Sequence, residues 1–250
     1  MKTKPIQKMA HIPFATSDSS IQSRSLKILC STALKSAILK ITNDHSELSV
    51  FAINFRFGPT TELLDVFEKD NDIDALILTK EAIVNLINAK RLKEPRFDLA
   101  KTGIGVGMKL GHNKPDISTV EKFKKFLKDA PSLAYTSDGV SGIYIGKLIE
   151  EFNMTKDLSG KTKLVKGGLA AELIIKDQVI FALQNISELS SVQNIEIVGP
   201  LPNDIQRITT FSGGTSFYSK KTITVEKFFK VMQSKEARLI LSDRGLEPIS

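Results

Sequence analysis

The sequence predicts an α/β fold in which short apolar strands alternate with amphipathic helices. Two observations carry this: apolar runs of about five residues recur from Leu26 onward, and most are followed by a segment with helical apolar spacing. A third is that Gly, Ser and Thr gather where strand gives way to helix. Such alternation predicts parallel sheet covered by helices on both faces.

The elements follow in order. LKILC (26–30) reads as a strand, and ALKSAILKI (33–41) as a helix with Ala33, Leu34, Ala37, Ile38 and Ile41 on one face. LSVFAINF (48–55) is a strand, TTELLDVFEK (60–69) a helix opened by a Thr cap behind Pro59, DALILT (74–79) a strand and EAIVNLINAK (81–90) a helix. TGIGVGMKLG (102–111) alternates Gly with apolar residues as a strand does. Gly103, Gly105 and Gly107 look like a nucleotide loop, but a turn, HNKPD, follows where a dinucleotide fingerprint needs a helix. Next come the helix STVEKFKKFLKD (118–129), capped by Ser118 with Glu121 as capping-box partner, the strand SLAYT (132–136) and the helix GIYIGKLIEEF (142–152). TKLVK (162–166), LAAELIIK (169–176) and VIFAL (179–183) read as strand, short helix and strand. EIVGPLP (196–202) leads to ITTFSGGTSFYS (208–219) and two helical stretches, VEKFFKVMQ (225–233) and EARLILSDRG (236–245).

Composition narrows the chemistry. Across 250 residues, 35 Lys+Arg face 28 Asp+Glu, a net charge of +7. Part of the surplus lies near the start, where Lys2, Lys4, Lys8 and Arg24 outnumber Asp18. Aromatics make up 7% with no Trp and do not interleave with basic residues, so nucleic acid is not expected and the mild field suits a small anionic ligand. The single cysteine, Cys30, lies in an apolar strand and excludes an internal disulfide; His11, His45 and His112 offer no pair at metal spacing. No metal and no cofactor is expected. A phosphate-binding G-x-x-x-x-G-K-[ST] loop, a G-x-S-x-G elbow and a His beside Cys30 or a candidate Ser are all missing, so hydrolase chemistry lacks its parts. The opening residues 1–25 begin with lysines but never reach the apolar core of a secretory leader, and read as a flexible N-terminal tail. As written the chain is expected in the cytoplasm, or in the periplasm if a signal sequence is missing. No apolar run reaches the roughly 18 residues a membrane span needs.

Ligands of open α/β sheets lie beyond the carboxyl ends of the strands. Four junctions there carry small or hydroxyl residues: Ser31-Thr32-Ala33, Gly58-Pro59-Thr60-Thr61, Ser137 to Gly142, and Gly167-Gly168. Each offers free backbone N–H groups and a helix start to an anion, or is an ordinary helix cap.

The segments FGPT (57–60), KPDISTVEKFK (114–124), AYTSDGVSGIYI (134–145), QNISEL (184–189), IVGPLPNDIQ (197–206) and SKEARLILSDRGLEP (234–248) resemble the periplasmic solute-binding proteins of the molybdate-binding type. More closely, they resemble a branch of that superfamily that includes bacterial aconitate isomerase. The resemblance covers about residues 26 to 248 and implies a two-lobed, type II periplasmic-binding-protein-like fold with a ligand cleft between the lobes. Lobe one would comprise 26–103 plus 207–250, and lobe two 104–206. Carried over, the ligand contacts fall on Ser31 and Thr32, on Gly58 and Thr60, on Val140 and Ser141, on Gly168 and Leu169, and at Gln184 and Asn185. Ala33 stands where the family has a serine, and Gln184–Asn185 where it has a tyrosine, which favours a carboxylate or partly protonated acid over molybdate. Tyr144 either points its phenol at the ligand or packs on the sheet. Glu188 is either a base or a helix-start carboxylate, Asp138 a base or a cap, and Arg207 a candidate carboxylate clamp.

Two functions follow. One is a monomeric binder of a molybdate-like oxyanion or a di- or tricarboxylate, handing it to an ABC transporter permease. The other is an aconitate-isomerase-like enzyme shifting an allylic proton, with Tyr144, Glu188 or Asp138 as the candidate base.

Overall fold

The computed structural model describes residues 25–49 and 51–249. The tail expected over 1–25 lies, Ser25 apart, outside the described residues. Two mixed sheets are present, each with its own helices. The first half runs β1 (Ser25–Ser31), a 3-10 turn (Thr32–Leu34), α1 (Lys35–Asp44), β2 (Ala52–Gly58), α2 (Thr60–Lys69), β3 (Ala75–Thr79), α3 (Lys80–Asn88) and β4 (Leu92–Thr102). The chain then crosses to β5 (Ile104–Lys109), α4 (Val120–Asp129), β6 (Leu133–Thr136), α5 (Val140–Glu151), α6 (Thr155–Ser159), β7 (Thr162–Val165), α7 (Glu172–Ile175), β8 (Phe181–Asn185), α8 (Ile186–Leu189) and β9 (Ile195–Pro200). It returns through a second 3-10 turn (Asn203–Ile205) to β10 (Thr209–Ser216), α9 (Thr222–Met232), α10 (Lys235–Asp243) and β11 (Glu247–Pro248).

The first sheet has the order β11-β4-β10-β3-β1-β2, and the second β7-β6-β8-β5-β9. In each, three neighbouring strands are parallel, β2-β1-β3 and β7-β6-β8, and the rest join antiparallel. This corrects the expectation of purely parallel sheet: the crossover strands β5 and β10 enter from the other lobe and run against their neighbours. β4 was not legible because Lys93, Glu94, Pro95, Arg96, Asp98 and Lys101 break its apolar pattern. The short reach of β11, which pairs only at Ala100 and Lys101 and leaves the rest of this side of β4 uncovered by strand, and ion pairing explain that composition, for Arg96 grips Asp98 at 2.7 Å and holds its carboxyl down at about 2.

Period-two alternation assigns the faces. Leu26, Ile28 and Cys30 of β1 and Ala75 and Ile77 of β3 pack on α1, α9 and α10, whereas Leu29, Leu76 and Leu78 pack on α2 and α3. In the second sheet Ile104, Val106, Met108, Leu133, Phe181 and Leu183 face α4 and α5, while Ala134 and Ala182 face Ala170, Ala171 and Ile174. Burial pushes the Cys30 thiol up, so it is inert core.

Smaller corrections concern boundaries. The strand expected from Leu48 begins at Ala52, after a turn at 46–49. The helix expected from Ala33 opens with the 3-10 turn, and that expected over 169–176 is regular only over Glu172–Ile175. Thr119, not Ser118, caps α4, accepting from Lys122 N at 3.2 Å, while Ser118 N donates to Asp116. The 118–121 capping box therefore does not form.

Where β6 turns into α5 the two backbones approach too closely for a side chain. A Cβ at Gly142 would lie 1.7 Å from the Thr136 carbonyl oxygen. Gly142→Ala is expected to lower the urea midpoint by the equivalent of about 1–3 kcal/mol, because the clash outweighs the roughly 1 kcal/mol that Ala gains in a helix. An unchanged midpoint would contradict this close approach.

Candidate functional site

The strand-to-helix junctions of both lobes converge on one cavity of about 30 Å³. That is room for a water or two in this closed arrangement. Ser31, Thr32, Gly58, Pro59 and Thr60 line it from the first lobe, with Phe211 of β10 beneath. Thr136, Asp138, Gly139, Val140, Ser141, Gly167, Gly168, Asn185 and Glu188 line it from the second. Larger open hollows, about 640 Å³ around Phe126 and about 670 Å³ around Pro202, lie on the second lobe, but neither includes a buried polar atom lacking a partner.

Two full helices start at the cavity. α2 begins behind Pro59 and α5 behind Gly139, and neither start has a side-chain cap. Their first-turn N–H groups have no partner inside the helix and carry the positive end of the dipole. Of the other helices of eight residues or more, α3, α4 and α10 are capped by Thr79, Thr119 and Ser234, none of which reaches the cavity, while α1 and α9 also start without a side-chain cap. Thr60 Oγ1 and Asn185 Oδ1, both on lining residues, are buried without a partner. Such orphaned atoms cost stability unless something else meets them.

The loop after β7 reaches the cavity because Gly167 and Gly168 adopt φ of +67° and +70°, the left-handed region that favours glycine. Asp138 fixes it by accepting from Gly167 N at 2.9 Å. Gln184, at the end of β8, fixes it from behind: its Oε1 accepts from Ala171 N at 3.3 Å and its Nε2 donates to Gly168 O at 3.4 Å. Fully buried and doubly engaged, Gln184 is a strut and does not line the cavity, contrary to its expected role. Leu169 also does not line the cavity.

Glu188 is the unusual group. It is 8% exposed, and Asn185 Nδ2 donates to its Oε2 at 2.9 Å. Burial pushes its carboxyl up to about 7 against the opposing bonds from Asn185, by side chain and backbone, and from the Gln184 side chain. A carboxyl poised there exchanges a proton near neutrality. Of the other candidate bases, Asp138 lines the cavity, whereas Tyr144 turns away and donates from its hydroxyl to Ile205 O at 3.0 Å. Arg207 lies exposed with its guanidinium 5.6 Å from the Tyr144 ring centroid, and clamps nothing in the cavity.

Thr136 and Phe211 are lining residues that sequence reasoning missed. Thr136 ends a strand one residue before the recognised Ser137–Gly142 junction, so its register was the available signal. Phe211 reaches the cavity only through the antiparallel return of β10, which local pattern does not reveal.

Residues 26–247 match the family described as bacterial extracellular solute-binding protein. Aconitate isomerase of Pseudomonas sp. is 27% identical over 183 residues, 72% of this chain and 70% of that protein. Among solved structures, the periplasmic molybdate-binding protein of Azotobacter vinelandii superposes with a TM-score of 0.73 at 12% identity, covering 90% of this chain and 100% of that one. The substrate-binding domain of a putative molybdenum ABC transporter from Clostridium difficile gives 0.66 at 18% identity, covering 90% and 99%. Both likenesses bear out the two-lobed fold.

The environment of Glu188 has a measurable consequence. Its carboxyl titrates near 7 in the folded chain against 4.5 for an ordinary glutamate, so the folded state binds more protons between those values. Stability therefore falls as pH rises through that window and stays reduced above it. Glu188→Gln is expected to match the parent at pH 4 and exceed it at pH 8 by up to about 3 kcal/mol in urea titrations. Equal stabilities at both pH values would show that Glu188 ionises freely.

Proposed function

The chain belongs to the bacterial extracellular solute-binding protein family, and from that premise we propose that it binds a small anion, an oxyanion or a carboxylate, in the cavity between its lobes. The observation that carries this reading is the pair of uncapped helix starts, α2 and α5, facing one cavity together with the orphaned Thr60 Oγ1 and Asn185 Oδ1. Ser31, Thr32, Gly58 and Thr60 would hold the anion from lobe one (26–103 plus 207–250). Val140, Ser141, Gly168 and Asn185 would hold it from lobe two (104–206). Backbone N–H groups and hydroxyls suffice for this without a buried cation. As a monomeric binder outside the inner membrane, it would hand its ligand to the permease of an ABC transporter.

One observation favours a second reading, an isomerase on the same scaffold. Glu188 sits in the cavity with a carboxyl near neutrality, as an allylic proton shift requires. Its carboxylate would take a proton from the carbon beside the double bond, the double bond would move, and the same proton would return to the far carbon. The Pseudomonas relative supports this reading.

A thermal-shift panel with molybdate, tungstate, sulfate, citrate, cis-aconitate and trans-aconitate tests both. A ligand at about 100 times its Kd raises the midpoint by roughly 5–10 °C for a chain of this size. NMR of the incubated aconitates then separates binding from turnover. Thr60→Leu is expected to abolish the shift with every ligand, because it fills the cavity and removes the orphaned hydroxyl. A panel without any shift, or a shift that survives Thr60→Leu, would sink the cavity assignment.

A further inference from the structure

The wall of the cavity places charge awkwardly for an anion site. Among the described residues that line it, the only ionisable groups are Asp138 and Glu188, both acidic, and no lysine or arginine joins them. An anion enclosed beside an ionised Glu188 would set two like charges together where little water screens them. The elements packed on α8 do not relieve this. Lys109, at the end of β5, pairs with Asp177 at 2.6 Å, and on β9 Glu196 lies 3.8 Å from Lys114. Lys35, just past the first 3-10 turn, lies over the Phe57 ring at 5.7 Å. Arg244 flanks Gly245, whose turn packs on Ile186 and Ser190, and the groups that act on the Glu188 carboxyl are the neutral Asn185 and Gln184 rather than a cation.

We propose that the cleft closes over its anion together with one proton held on Glu188, making this residue the determinant of which anions are captured and at what pH. The inference rests on the anion-binding reading above and adds a co-ligand to it. The proton comes from solvent and converts the Glu188 carboxylate to the acid, and no covalent bond changes. Oε2 keeps the 2.9 Å bond from Asn185 Nδ2 when the carboxyl takes up its proton. The neighbouring lining atoms Asn185 Oδ1 and Thr60 Oγ1, buried and without partners, mark where the rest of the ligand is met. The direction of the linkage follows from the carboxyl near 7. Below that value the free site already holds its proton and affinity is level. Above it each binding event must take up a proton, so affinity falls about tenfold per pH unit.

Isothermal titration of the full chain with sulfate, molybdate and trans-aconitate, all fully ionised between about pH 6 and 9, reads this directly. Each titration is run in two buffers of different ionisation enthalpy to count protons. The expected result is uptake of close to one proton at pH 8, a roughly tenfold loss of affinity between pH 8 and 9, and a level affinity for Glu188→Gln over the same range. Level wild-type affinity without proton uptake would overturn the proposal, as would a slope that persists in Glu188→Gln. Should that variant fail to fold, the wild-type proton count decides alone. If none of the three probes binds even at pH 6, the anion-binding reading fails and this inference with it. That outcome is distinct from binding without a proton.

Discussion

A parallel strand delivers the chain at one end of its sheet, and the helix that returns it must start there. That geometric constraint organises the molecule. Because β1, β2, β6 and β8 all end at the cleft, the residues that follow them meet from both lobes at a single cavity. Helix starts concentrate positive potential without placing a formal charge in the interior, which is how the proposed anion site would do without lysine or arginine. The small residues there serve the same approach: Gly142 lets α5 start against the Thr136 carbonyl, and any side chain would hold the two apart.

The chain passes between its two sheets at Gly103 and again over 201–208, and these two segments are tied to each other. The Gln206 amide mimics a strand neighbour, accepting from Ile104 N at 2.8 Å and donating to Ile104 O at 2.9 Å. Tyr144 secures the adjacent Ile205 carbonyl, and Arg207 stacks on the Tyr144 ring. Tyr144 and Arg207, attractive as site residues in the sequence, are spent on this junction instead.

Local pattern revealed most elements because apolar spacing and turn residues are local properties. The helix at 60–69 stands as read, and so do the glycine-bearing junctions, but its expected Thr cap does not form: Pro59 holds the N-cap position and Thr60 Oγ1 is left without a partner. What escaped depends on contacts distant in sequence. β4 is stabilised by pairing with β10 more than a hundred residues away, so its charged and proline-bearing surface hid it. Gln184 and Asn185 are neighbours in one strand, yet pleat sends the first back to the 168–171 loop and the second into the cavity. Sequence identifies the amide pair. Only the register of β8 against β5 decides which amide is strut and which is wall.

Glu188 raises the same physical issue for a binder and for an enzyme. Burying a carboxyl without a cation keeps it close to neutrality, and a group in that state either travels with the ligand as a bound proton or moves the proton across it. Space separates the two uses. A cavity of about 30 Å³ holds a water or two, so even a compact oxyanion needs some opening of the cleft, whereas an allylic proton shift needs a carbon chain with several carboxylates threaded past the same oxygen. Both uses need the cleft to open, the second further than the first and with Glu188 keeping its reach. That difference in required motion is why capture of a small anion leads over catalysis as the reading of this geometry.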